Sequence, residues 1–76
     1  MESVYIETTI ISYLVAKRSR DLIVAARQQL TIDWWERRRG SFECFVSQVV
    51  IDEISLGDPT EIQKRLAVTD GLTVLA

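Results

Sequence analysis

Histidine is absent from the 76 residues, and with it go the usual general base at neutral pH, the commonest zinc ligand and every triad of the Ser-His-Asp kind. Carboxylates are the remaining chemical groups. Cysteine occurs once, at Cys44, so no intrachain disulfide can staple the chain and a reducing cytoplasm is the expected compartment. Positive charge is not in excess. Nine Lys and Arg stand against eleven Asp and Glu, and a net charge of -2 supplies no global field that would draw the protein onto nucleic acid. Any such contact has to be local. A long apolar run is also missing, because Glu7, Thr8, Thr9 and Ser12 interrupt the stretch from Val4 to Val15. The expectation is therefore no signal peptide and no membrane span.

What is present is 47% apolar and 26% charged, enough for one compact domain. A folded chain of this length buries only about 60% of the surface its unfolded form exposes. Without disulfides its core is marginal unless a metal or a partner helps.

Ser3 to Ile6 is β-branched and aromatic, as a buried strand would be. Thr8 and Thr9 can cap a helix carrying Ile10, Ile11 and Leu14, although β-branching keeps an extended reading of that stretch open. Lys17-Arg18-Ser19-Arg20 reads as a solvated connection, after which Ser19 or Asp21 caps the next helix. Leu22, Ala26, Leu30 and Trp34 recur every four residues and predict the core-facing stripe of that helix, with Arg37-Arg38-Arg39 at its negative end. Phe42 to Val46 has strand composition, Ser47 can cap a helix bearing Val50, Ile51 and Ile54, and Gly57 ends it. Asp58-Pro59-Thr60-Glu61 combines a cap, a first-turn proline and the acid of a capping box. Ile62 and Leu66 are the buried side of this last helix, Gly71 stops it, and Leu72 to Leu75 leaves room for a short strand.

Strands separated by helices predict an α/β domain with a three-stranded parallel sheet and right-handed crossovers. Two crossovers running in one direction put all helices on one face. Yet each strand is apolar on both alternating sets, Val4 and Ile6 with Tyr5, Phe42 and Cys44 with Phe45, Leu72 and Val74 with Leu75. Such strands expect cover on both sides, either from the rest of a larger doubly wound domain or from a second copy.

Glu7 follows the first strand, and Asp52-Glu53 lie in the helix after the second, near the carboxyl ends where open α/β sheets place ligands. Two converging carboxylates would favour Mg²⁺ or Mn²⁺ over zinc. Acids at element ends are also commonly just solvated. Thr8 and Thr9 can orient an acid or simply cap. Lys17, Arg18, Arg20 and Arg37 to Arg39 can touch phosphates or serve as solvated helix ends. Trp34 and Trp35 can stack on bases, but neighbours on a helix do not share a face, so at least one is expected to pack. Cys44 reads as a small core residue.

Val4-Tyr5-Ile6-Glu7-Thr8-Thr9, followed by Ser47-Gln48-Val49-Val50-Ile51-Asp52-Glu53-Ile54, resemble the first two motifs of PIN-domain ribonucleases, in particular the VapC-like toxins of toxin-antitoxin systems. The resemblance implies that residues 1–76 are the N-terminal half of a PIN-like, doubly wound domain. It implies Glu7 and Glu53 as catalytic and metal-binding acids, with Glu53 ahead of its neighbour Asp52 because consecutive helical residues face about 100° apart. Glu7 stands where the family most often has Asp. The implied cofactor is Mg²⁺ or Mn²⁺, the implied reaction is RNA phosphodiester hydrolysis, and two acids alone imply a weak, hydrated ion site with little or no activity. The family's first strand is central, so its open edge here would seek a homodimer partner; an antitoxin or a full-length PIN protein is the other implied partner. The rival expectation is a self-associating or partner-binding α/β module without catalysis.

Overall fold

A computed structural model of the chain describes residues 1–75. The strands are β1 (Glu2–Tyr5), β2 (Phe42–Ser47) and β3 (Thr73–Leu75), and the helices are α1 (Thr8–Val15), α2 (Leu22–Arg37), α3 (Gln48–Ile54) and α4 (Pro59–Thr69). A short 3-10 turn, Arg39–Ser41, leads into β2. The strands form one parallel sheet in the order β1-β2-β3. This is the α/β arrangement with crossover helices that the alternation of elements predicts. Among the described residues no helix is long and apolar enough to cross a membrane.

Local chemistry sets most boundaries. Asp21 caps α2 by accepting from the amides of Ile23 and Val24 at 2.9 and 3.1 Å, Ser47 caps α3 through Val50 at 3.2 Å, and Asp58 caps α4 through Thr60 and Glu61 at 3.0 and 3.1 Å. The capping box is only half made, because the Glu61 carboxylate turns forward to the Lys64 ammonium at 3.2 Å. The stretch after β1 is helical, which decides against the extended reading. Glu7, not a threonine, occupies the N-cap of α1, and it makes no side-chain cap there. Thr8 and Thr9 lie inside the first turn, so the predicted threonine cap is corrected.

The core is one cluster, Ile6, Ile11, Val46, Val50 and Ile54, with Val4, Cys44, Trp34, Trp35, Ile51, Leu66 and Leu72 packed around it. Ile6, Ile11, Val46 and Ile54 are fully enclosed. Pairing aligns Val4 with Cys44 and Val46 with Val74, which puts the even-numbered residues of β1 and β2 on the helix side. The alternate set, Ser3 and Tyr5, Glu43, Phe45 and Ser47, Thr73 and Leu75, forms the opposite face. Among the described residues no helix covers it, and Tyr5 and Leu75 remain 47% and 45% exposed. The thinnest dimension of the molecule is 15 Å, as one sheet and one helix layer require.

The four-residue stripe on α2 is corrected in its first three members. Leu22, Ala26 and Leu30 face outward, with Leu22 and Leu30 84% and 69% exposed, Trp34 packs against the core as expected, and the buried residues of the helix are Ala25 and Gln28. Steps of four residues drift by about 40° each on a helix of 3.6 residues per turn, so the stripe winds off any single face. Two local demands fix the rotation instead. Ala25 lets α2 approach closely, and the buried Gln28 amide accepts from the Ser19 N–H at 2.9 Å and donates to the Lys17 carbonyl at 3.1 Å. Gln28 thereby closes the loop that joins α1 to α2.

Candidate functional site

β1 stays in register with β2 through the Ile6 amide, which donates to the Phe45 carbonyl at 2.7 Å, and the chain then turns into α1 at Glu7. The next strand ends likewise, at Ser47, and turns into α3. The carboxyl ends of β1 and β2 therefore bring the first residues of α1 beside α3. Between them lies an open cleft of about 300 Å³ lined by Tyr5, Glu7, Thr8, Thr9, Val49, Val50 and Glu53.

Both sequence-predicted acids, Glu7 and Glu53, line this cleft, 46 positions apart in the chain. Both are exposed, so their charges are solvated rather than buried. Thr8 does not cap; its hydroxyl donates to Glu53 Oε2 at 2.7 Å and ties α1 to α3 across the cleft. Asp52 lies outside and accepts from Gln48 Nε2 at 3.0 Å. Tyr5 forms one wall, held by a 2.6 Å hydrogen bond between its hydroxyl and Ser47 Oγ, the same oxygen that caps α3. Neither Tyr5 nor Ser47 stands out as a site residue in sequence. The signal for them was strand alternation, which puts both on the face opposite Val4 and Val46.

The acids offer hard oxygen donors, and Glu53 Oε1 and the Glu7 carboxylate make no hydrogen bond among the described residues. A divalent ion that keeps most of its waters fits such a pair. Among the described residues no cluster of three or more His, Cys, Asp or Glu side chains is poised to hold a metal. Two carboxylates are thus the whole donor set seen here.

The remaining candidates lie elsewhere. Among the described residues no Lys or Arg lines the acid cleft. Arg39 instead sits over the Trp35 ring, 4.4 Å from its centroid, and Trp34 packs on Phe42 at 5.7 Å between ring centroids. At least one tryptophan is expected to pack, and both do. Cys44 is partly buried against the core. A larger depression of about 380 Å³, bounded by Arg39, Glu43, Cys44 and Asp70, opens at the amino ends of the strands. Parallel sheets carry their ligand-binding loops at the other end, so its size does not make it the site.

Comparison with protein-family models, curated proteins and solved structures found no match to this chain. Fold and cleft together define a small α/β domain with two carboxylates at the carboxyl edge of a parallel sheet.

Proposed function

We propose that the chain carries a partial metal-dependent phosphodiesterase site of the PIN type, with RNA as the substrate class and weak or no hydrolysis on its own. The observation that carries this reading is the meeting of Glu7 and Glu53 in one cleft, with Thr8 holding Glu53. These are the two acids singled out by the resemblance to VapC-like toxins. Glu7 and Glu53 would hold Mg²⁺ or Mn²⁺, which when bound activates water and stabilises charge on the leaving oxygen. Thr8 fixes one oxygen of Glu53 and leaves the other free, and Tyr5, anchored on Ser47, walls the cleft. Two carboxylates hold a hydrated divalent ion only weakly, and a cleft lining without Lys or Arg offers no cation to a phosphate, which is why activity is expected to be low.

Calorimetry with Mn²⁺ and incubation with single-stranded RNA test the proposal. Weak Mn²⁺ binding that disappears in both Glu7→Gln and Glu53→Gln is the expected result. Absence of binding, intact RNA and a Glu53→Gln variant indistinguishable from the starting protein would remove the enzyme reading.

A second reading, a self-associating or partner-binding module without catalysis, is favoured by the amount of surface left open. The folded chain of 8.7 kDa exposes 5393 Å², against about 4,700 Å² expected for a monomer of this mass. A second copy is the proposed partner, with an antitoxin or a longer PIN protein as the alternatives to be separated by pull-down. The single free cysteine supports a cytoplasmic location for either reading.

A further inference from the structure

Among the described residues only one aromatic side chain is exposed, Tyr5, and it lines the cleft that holds both acids. The other tyrosine, both tryptophans and both phenylalanines are partly buried. Nor is the Tyr5 ring loose. Its hydroxyl is tied to Ser47 Oγ at 2.6 Å, and Ser47 is itself fixed by the bond from the Val50 amide that caps α3. Val49, 65% exposed in the first turn of α3, lines the same cleft. The cleft therefore pairs an apolar part, Tyr5 with Val49 and Val50, with a polar part made of Glu7, Glu53 and two threonines.

We propose that Tyr5 stacks on one unpaired base of the RNA, so that a single strand is held in this cleft by its base and not by its phosphates. This inference rests on the reading of Glu7 and Glu53 as a phosphodiesterase site and names what that site recognises. Electrostatics decides which half of a nucleotide can be held. A phosphate meets two solvated carboxylates, a lining without Lys or Arg among the described residues and a chain of net charge -2, so without a metal ion it is repelled. A base is uncharged. It gains from contact with an aromatic face whatever its sequence, because every base has a π-face of its own. The tether to Ser47 sets the ring before the base arrives, which lowers the ordering cost of the contact.

The cleft of about 300 Å³ is at the small end of ligand sites, which suits one base. A duplex is excluded for a further reason. Its bases are already stacked on one another and offer no free face. Trp34 and Trp35 do not compete for the role, since one packs on Phe42 and the other lies under Arg39.

Anisotropy of a labelled oligoadenylate titrated with the whole chain in metal-free buffer, which prevents hydrolysis, tests the proposal together with the proton spectrum of the tyrosine rings. Affinity is expected to hold or rise with salt, because salt screens the repulsion and no phosphate contact is lost. The Tyr5 ring protons should move upfield, while those of Tyr13, outside the cleft lining, stay in place. Tyr5→Leu is expected to bind about tenfold more weakly and Tyr5→Phe, which keeps the ring, to stay within about threefold of wild type. Circular dichroism and Mn²⁺ calorimetry should be unchanged in both. If Tyr5→Leu fails to fold, the ring shift in the wild-type chain decides. An oligoadenylate that does not bind, an affinity that survives Tyr5→Leu, or a Tyr5 ring unmoved at saturation overturns the platform while the metal reading is judged separately by Mn²⁺ binding. A ring that shifts with protein concentration instead of RNA also overturns it and gives Tyr5 to a second copy. Tyr5-dependent RNA binding without Mn²⁺ binding would support the platform and remove the hydrolytic reading.

Discussion

The two sides of α2 meet fates opposite to what their side chains alone would suggest. Ala25 and Gln28 are buried, while Leu22, Ile23 and Leu30, more apolar than either, stand in solvent. The sheet repeats the contrast, with Val46 fully enclosed on one face and Tyr5 and Leu75 half open on the other. Hydrophobicity alone therefore did not select the buried side. A two-layer fold has one interior, and residues reach it according to which face the crossovers cover and which polar groups must be satisfied there.

Substitution on the covered side should have the largest effect. Ile54, fully enclosed, joins α3 to the core, and Ile54→Ala is expected to cost about 2–5 kcal/mol, measured by urea unfolding. In a domain of this size such a loss leaves little folded protein. A cost below that of a surface substitution would mean that the core cluster is not what holds the layers together.

Gln28 gives the next effect and the sharper test. Gln28→Leu adds apolar bulk to a buried position but strands the Ser19 amide and the Lys17 carbonyl, so a loss of about 1–3 kcal/mol is expected. If the rotation of α2 were set by apolar burial alone, the same change would stabilise the chain. Hydrogen exchange at Ser19 should accelerate in parallel.

The smallest expected change in stability is at the cleft. Thr8→Val removes the hydrogen bond to Glu53 at a partly exposed position, so unfolding should barely move while Mn²⁺ affinity falls about tenfold. Thr8→Ser, which keeps the donor, should restore the affinity. Equal Mn²⁺ binding by Thr8→Val and wild type would mark the hydroxyl as a structural tie between α1 and α3.

Much of this was legible in residue order. Asp21, Ser47 and Asp58 read as helix caps and are helix caps, because a cap needs only its own side chain and the next few amides. Gly57, with φ 107, and Gly71, with φ 85, read as helix stops and turn the chain where side chains are disfavoured. Glu7 and the Asp52-Glu53 pair could be placed near one another from the topology, at the carboxyl ends of parallel strands, and the motif resemblance then favoured Glu53 over Asp52. The threonines were misread because Thr after a strand usually caps, and here Glu7 takes that position while Thr8 finds a carboxylate from another helix. The stripe on α2 was misread because a periodic pattern shows that a helix has an apolar side without telling which of two such sides will be inside.

By itself the sequence determined the class of fold, the order of its elements and the ends of its helices, all of which depend on contacts within a few residues. Tertiary structure decided which face of α2 is buried, which side of the sheet stays open, and that Thr8, Glu7 and Glu53 share one cleft. Those outcomes depend on groups distant in the chain competing for a single interior, and no local pattern contains that competition.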